Sequence, residues 1–161
     1  MKKLLFILLS VTMILSCNPV DSNYDKLIGY TYTSGELDEK LKKWEYSGGQ
    51  TVENSESLER GMDFYHKDNQ RLLIATKMVG RNGQHPINEI IGSRIIILEE
   101  NQKLNKYMTL DGELDEGIVA VVIYDNENWE CTEIVKAWKL NIYSGEFEYI
   151  DVFHLSCYDP M

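Results

Sequence analysis

The sequence lacks the short motifs that mark common hydrolases and nucleotide-binding enzymes. It has no G-x-S-x-G nucleophile turn, no glycine-rich phosphate loop and no H-E-x-x-H zinc motif. Histidine is scarce, and no two of His66, His85 and His154 are three or four residues apart. His154 and Cys157 are three apart in a predicted strand, so they face opposite sides. We therefore predict no catalytic, cofactor-binding or metal-binding residue.

Long apolar stretches are equally scarce. The longest run of apolar or small residues covers residues 4–15, after Lys2 and Lys3 and before Ser16 and Cys17. This run is shorter than the roughly 20 residues that a helix needs to cross a membrane. A basic start, a short apolar run and a small residue are the three parts of a secretory signal. The chain start therefore predicts export.

The end of that leader carries a second signal. Ile14-Leu15-Ser16-Cys17 resembles the lipobox of bacterial lipoproteins. The resemblance implies cleavage before Cys17 and acylation of Cys17, which would anchor the protein by lipid to a bacterial membrane in the cell envelope. It divides the chain into a signal peptide at 1–16, a lipidated tether at 17–26 and a single domain at 27–161. The alternative is an ordinary signal peptide with an incidental cysteine.

Basic residues are outnumbered, with 16 Lys and Arg against 26 Asp and Glu and a net charge of −10. Residues 1–16 contain two of the lysines and no acidic residue, so without them the charge is −12. Such a chain repels nucleic acid and favours a basic protein partner. The alternative is that the charge only keeps an exported protein in solution.

The residue pattern predicts an α+β domain with a mainly antiparallel sheet of about six strands and one or two helices. Residues 35–46 combine acidic residues in the first turn with an apolar stripe of Leu37, Leu41 and Trp44, which predicts an amphipathic helix. Pro86 predicts a short second helix at 86–91. We further predict strands at 27–33, 94–98 and 118–124, a surface loop at 47–60, and a hairpin of residues 62–67 and 71–79.

The last thirty residues predict a disulfide. Residues 132–142 and 146–157 have strand patterns, and Tyr143-Ser144-Gly145 fits a three-residue hairpin loop. In that register the numbers of paired residues add up to 288, as those of Cys131 and Cys157 do. Opposed strand residues lie within disulfide range, and an exported protein meets oxidising conditions. We therefore predict a Cys131–Cys157 disulfide, which leaves Cys17 for lipidation.

Two further patterns were weighed as binding features. Asp111, Glu113 and Asp115 match the first ligand positions of a calcium loop, but Glu116 and Val122 replace its required glycine and final glutamate, so the pattern favours an acidic loop. Tyr30, Tyr32, Tyr46 and Tyr65 offer an amphipathic recognition surface. The alternation around Trp138 predicts a core position.

These features together favour a non-enzymatic binding lipoprotein of the cell envelope, with a basic protein as one candidate partner. The alternative is an envelope hydrolase or metal-dependent enzyme that uses scattered Asp, Glu and His residues. A concave pocket with two or more carboxylates or histidines would favour the enzyme, whereas a convex acidic surface would favour binding.

Overall fold

The computed structural model describes residues 24–33, 36–55, 58–125 and 130–158. Residues 1–23 lie outside this part of the chain, and with them the predicted signal peptide, Cys17 and most of the tether. Within the described ranges the structure is 64% strand and 6% helical. The elements are a 3-10 turn at Asp25–Leu27, helix α1 at Glu36–Lys40, and strands β1 (Thr31–Tyr32), β2 (Glu45–Ser55), β3 (Leu58–Lys67), β4 (Gln70–Asn82), β5 (His85–Ile97), β6 (Gln102–Asn105), β7 (Met108–Leu110), β8 (Glu113–Leu114), β9 (Ile118–Tyr124), β10 (Cys131–Leu140), β11 (Phe147–Ile150) and β12 (Leu155–Cys157).

The described strands form three antiparallel sheets. Sheet A has the order β1-β5-β4-β3-β2, sheet B has the order β11-β10-β9-β6, and sheet C has the order β12-β7-β8. Sheet B is the middle layer, because one of its faces packs on sheet A and the other on sheet C. The domain is therefore a three-layer β-sandwich.

The main core lies between sheets A and B. Alternate residues of the long strands point into it, as the two-residue period of a strand requires. Each large apolar side chain that is fully buried in this core contributes about 1.5–3 kcal/mol to the free energy of unfolding through the hydrophobic effect. The buried residues of this core are Met62, Phe64, Leu73, Ala75, Ile96 and Leu98 from the sheet A side and Val119, Val121, Trp138, Leu140 and Phe147 from sheet B. The predicted core position of Trp138 agrees with this packing.

Smaller apolar layers cover the other faces. Residues 24–33 and 36–44 lie on the outer face of sheet A, where Leu37, Leu41 and Trp44 pack with Tyr65 and Leu72. The predicted apolar stripe is therefore buried as expected. Between sheets B and C, Met108 packs against the second face of β9 and β10. Both faces of β10 are thus covered by other sheets, rather than by the helices or long loops that the sequence suggested.

The predicted α+β class is wrong, because the domain is almost entirely β. The predicted helix at 35–46 is reduced to the five residues Glu36–Lys40, where the Glu36 carboxylate accepts a hydrogen bond from the backbone N–H of Thr33 at 2.6 Å. This hydrogen bond lowers the pKa of Glu36. From Glu45 the chain pairs with β3. Strand pairing over a long range overrides the local helix propensity.

The predicted helix at 86–91 is also wrong, since these residues belong to β5. Pro86 pairs with Arg81 of β4, and β1 reaches only Asn88 and Glu89 on the other side. The proline therefore lies where β5 has one neighbour, which is where a sheet tolerates a residue without an N–H. The predicted strand at 27–33 is confined to the two residues of β1.

The predicted loop at 47–60 consists mainly of the paired strands β2 and β3. Strand β2 is the edge of sheet A, and edge strands carry polar residues because one side has no partner strand. Its polar composition therefore resembles that of a loop. The hairpin at 62–67 and 71–79 is confirmed, with Lys67 opposite Gln70, and so is the strand at Ile118–Tyr124.

The Cys131–Cys157 disulfide is confirmed, with a Cα–Cα distance of 6.2 Å, but the register that predicted it is wrong. Leu140 pairs with Phe147 rather than Glu148, and residues 141–146 connect the strands. The chain then leaves the hairpin, because Leu155–Cys157 pairs with β7 of sheet C. The disulfide therefore links sheet B to sheet C instead of closing a hairpin.

The connection after β10 contacts sheet A through two glycines. A Cβ atom on Gly92 would collide with the carbonyl oxygen of Gly145, and one on Gly145 would collide with the carbonyl oxygen of Ile91. Gly145 also has a φ of +78°, which other residues rarely adopt. Both partners in this contact are backbone, so neither can move aside as a flexible side chain could.

We expect Gly92→Ala to lower the free energy of unfolding by about 3 kcal/mol, the upper end of the usual range for overpacking. Urea unfolding measures the effect. Gly80→Ala is the matched control in β4, because its Cβ would meet only the Ile87 Cδ1 atom at 3.9 Å. We expect that control to change stability by less than about 0.5 kcal/mol. Equal stability of the two variants would contradict the close contact.

Candidate functional site

The three histidines lie in different parts of the fold. His66 contacts Glu45 at 3.1 Å between Nε2 and Oε2, and His154 contacts Asp111 at 3.1 Å between Nδ1 and Oδ1. His85 is exposed at the start of β5. No group of three or more His, Cys, Asp or Glu residues in the described ranges is arranged to hold a metal ion.

The acidic residues in the segment Asp111–Asp115 also have separate partners. Asp111 occupies the β7–β8 turn with a φ of +52° and contacts His154. Asp115 accepts hydrogen bonds from Lys139 Nζ at 2.7 Å and from the backbone N–H of Gly117 at 2.9 Å. These carboxylates stabilise local structure and do not converge on one point.

The four tyrosines that were predicted to form a recognition surface are divided between core and surface. Tyr32 and Tyr65 are buried, whereas Tyr46 is 54% exposed. The Tyr32 hydroxyl donates a 2.7 Å hydrogen bond to Asp63, and the rings of Tyr46 and Tyr65 meet edge to face at 5.3 Å. Burial, and next the Asp63 carboxylate, raise the pKa of Tyr32 above its usual range. This cluster is mainly a packing feature of the outer face of sheet A.

A cleft opens between sheets A and B, and it is a better candidate for a binding site than the histidines, the acidic segment or the tyrosines. Its volume is about 590 Å³, which lies within the usual range for small-ligand sites. Apolar walls come from Ile96 of sheet A and from Val121 and Val135 of sheet B. We call it the inter-sheet cleft. It is the open end of the main core.

Arg94 is the charged group of the cleft on the sheet A side. It is opposite Leu73 in the β4–β5 register, so its side chain shares the inward face of sheet A. Its guanidinium carbon lies 4.9 Å from the ring centre of Trp138, and Nη1 donates to the carbonyl oxygen of Phe147 at 3.0 Å. Burial lowers the pKa of Arg94. In the part of the chain that the structure describes, no carboxylate pairs with this cation.

Two buried donors at this contact, Nε of Arg94 and Nε1 of Trp138, have no hydrogen-bond partner among the residues that the structure describes. Trp138 is only 6% exposed. A buried polar group without a partner costs about 1–3 kcal/mol. The domain therefore tolerates a desolvated and unmatched cation next to an indole, which is more typical of a binding site than of a core.

The rim of the inter-sheet cleft is charged and exposed. It carries Glu99 after β5, and Glu133 and Lys136 on β10. Glu133 is opposite Ile123 and Lys136 is opposite Val121. Both side chains therefore leave β10 on the inner face of sheet B. An anionic group at Arg94, an apolar body along the walls and polar groups at the rim would match this arrangement.

Sequence reasoning did not single out Arg94, although a signal was present. Residues 94–98 were interpreted as a buried strand, and a charged residue at the start of such a strand needs a partner or a function. The missing information was that Trp138, 44 residues later in the numbering, lies beneath it.

Comparison of the chain with protein-family models, with curated proteins and with solved structures found no match. No helix in the described residues is long and apolar enough to cross a membrane.

The Tyr32–Asp63 contact generates a pH prediction. Since the folded pKa of Tyr32 is raised, its contribution to stability is fully present below pH 10 and declines at higher pH, where only the unfolded chain loses the phenol proton. Between pH 10 and 11 we expect an extra loss of about 1 kcal/mol in the wild type that Tyr32→Phe lacks, because the unfolded phenol is already half ionised at pH 10. Urea unfolding at pH 8, 10 and 11 measures it.

Tyr143→Phe is the control for this experiment, because Tyr143 is 87% exposed. That variant should keep the wild-type loss at high pH. If wild type and Tyr32→Phe lose the same stability, the raised pKa is wrong.

Proposed function

We propose that this protein is a non-enzymatic binding lipoprotein of the bacterial cell envelope, anchored by lipid on Cys17, and that its inter-sheet cleft holds a small ligand with an anionic group and an apolar body. The observation that supports the ligand class is the half-buried Arg94 guanidinium, which lies over Trp138 without a carboxylate partner in the described residues.

The physical reason is desolvation. A cation that is partly removed from water loses hydration, and burial disfavours its charged form. A bound carboxylate, sulfonate or phosphate would restore the lost interactions, because a guanidinium presents several donors to such groups. The apolar walls would at the same time cover the rest of the ligand. The outer face of sheet A, which residues 24–33 and 36–44 cover, lies away from this cleft.

The enzymatic alternative has one observation in its favour, since Glu99 and Glu133 line the same cleft. Both carboxylates are exposed, whereas the buried polar groups are an arginine and an indole. An exposed carboxylate lacks the desolvation that tunes a catalytic acid or base. Binding is therefore the better proposal. The acidic surface still favours a basic protein partner, which stays a prediction from net charge.

The ligand proposal is tested with anilinonaphthalene sulfonate, a probe that has an anionic group and an apolar body. We expect the full-length protein in a non-ionic detergent to bind one equivalent, and Arg94→Gln to weaken binding about tenfold or more, as for loss of a charge-assisted contact. Fluorescence titration above the detergent background measures the affinity.

Arg81→Gln is the matched control, since Arg81 is exposed and pairs with Glu59 at 3.5 Å. It should bind the probe like the wild type. Equal affinities for wild type and Arg94→Gln, at unchanged melting temperatures, would show that Arg94 does not form the site.

The anchoring proposal is tested separately through Cys17. Replacement Cys17→Ser should abolish incorporation of labelled palmitate in cells, because the thiol is the proposed acylation point. Ser16→Ala keeps a small residue before the cut and should retain the label. Mass spectrometry should still show the Cys131–Cys157 disulfide in the Cys17→Ser protein. Persistent labelling of that variant would overturn the lipid assignment.

A further inference from the structure

A second cleft, of about 390 Å³, lies between sheet A and residues 104–107. The charged side chains in its lining are all basic, namely His66, Arg71 and Lys106. This grouping is unusual for a chain with 26 acidic and 16 basic residues. We call it the basic cleft.

His66 and Arg71 are held side by side by strand pairing. They are directly opposite in the β3–β4 register and share the face that carries Phe64 and Leu73. Glu45 contacts His66, but its side chain is 81% exposed and lies outside the cleft lining. The strand register therefore places two basic side chains next to each other on one wall of the basic cleft.

The Arg71 guanidinium has a defined position. Its Nη1 atom donates to the carbonyl oxygens of Asp68 and Gln70 at 3.0 and 2.8 Å. Burial lowers the pKa of Arg71. Among the described residues it has no carboxylate partner. Its charge is thus partly desolvated, and the side chain lines the cleft with Nη1 held by these two carbonyls.

Lys106 supplies the third basic group from the opposite wall. Its ammonium lies 5.3 Å from the Phe64 ring centre and 5.5 Å from that of Tyr107. A Cβ atom on Gly48 would be 3.3 Å from Nζ, so the ammonium reaches across to β2. No described carboxylate forms an ion pair with Lys106. Aromatic faces attract this cation but leave its N–H donors available to a ligand.

We propose that the basic cleft binds a phosphate group. A phosphate dianion offers several acceptor oxygens and a charge that can offset Arg71 and Lys106 together, whereas one carboxylate offers a single charge. Ser47 and Asn105 add neutral polar groups to the same lining. The phosphate comes either from a lipid with a phosphomonoester headgroup or from a soluble phosphate monoester, because both present the same dianion. This site is independent of Arg94 and of the inter-sheet cleft.

Calorimetric titration with inorganic phosphate, on the full-length protein in a non-ionic detergent at low salt, tests the proposal. We expect saturable binding that Lys106→Gln weakens about tenfold or more. The control Lys40→Gln removes an exposed cation that lies over Tyr30 on the outer face of sheet A, and it should bind like the wild type. Absence of saturable binding, or equal weakening in both variants, would overturn the proposal.

Arg71→Gln provides a second test with its melting temperature as a check on folding. A folded Arg71→Gln protein that binds phosphate like the wild type would also overturn the proposal, and if this variant does not fold, the result for Lys106→Gln decides. Competition identifies the source. Stronger displacement by phosphatidic acid in mixed micelles supports a lipid headgroup, and stronger displacement by glycerol 3-phosphate supports a soluble ester. Arg94→Gln should retain phosphate binding, so the two clefts are tested separately.

Discussion

The packing of sheet A on sheet B supports the rest of the structure. The apolar layer between them contains the inward residues of β3, β4 and β5 and those of β9, β10 and β11. The close approach of the two sheets depends on Gly92 and Gly145, where the backbones of β5 and of the β10–β11 connection meet without side chains. The layer is apolar along its length and ends at an open edge. Both proposed sites lie at this edge, one beside β5 and the other beside β3 and β4.

The layered arrangement also decides where two of the basic side chains lie. The chain is acidic, yet Arg94 and Arg71 are on the same face of adjacent strands, because Arg94 is opposite Leu73 and Arg71 is opposite Ile96. Both guanidinium groups are partly desolvated. Two partly buried cations without a carboxylate partner among the described residues are less costly when another group supplies the negative charge. This is the common physical basis for the two anion-binding proposals.

Sequence reasoning identified several elements for sound local reasons. The Leu37, Leu41 and Trp44 stripe is buried, the β3–β4 hairpin is present, and the β9 strand has the expected bounds. The predicted cysteine pair is also present, but the assumed three-residue loop and register do not occur. The predicted helix at 35–46 is confined to Glu36–Lys40, and the predicted loop at 47–60 and helix at 86–91 were wrong, because β2 pairs with β3 and β5 pairs with β4 as hairpins. Pairing between strands outweighs local propensity there. An edge strand such as β2 also lacks the alternating pattern that reveals a half-buried strand.

The amino-acid sequence by itself determined the negative charge, the short apolar run at residues 4–15, the positions of the strongest strands and the presence of two cysteines near the chain end. These are properties of composition and local pattern. Only the tertiary structure decided that three sheets stack in layers, that the disulfide joins sheets B and C, and that Arg94 meets Trp138 while Arg71 faces the cleft of Lys106. Each of these contacts joins residues distant along the chain. Their proximity depends on strand register and on which faces are buried, and a one-residue change of register reverses every face.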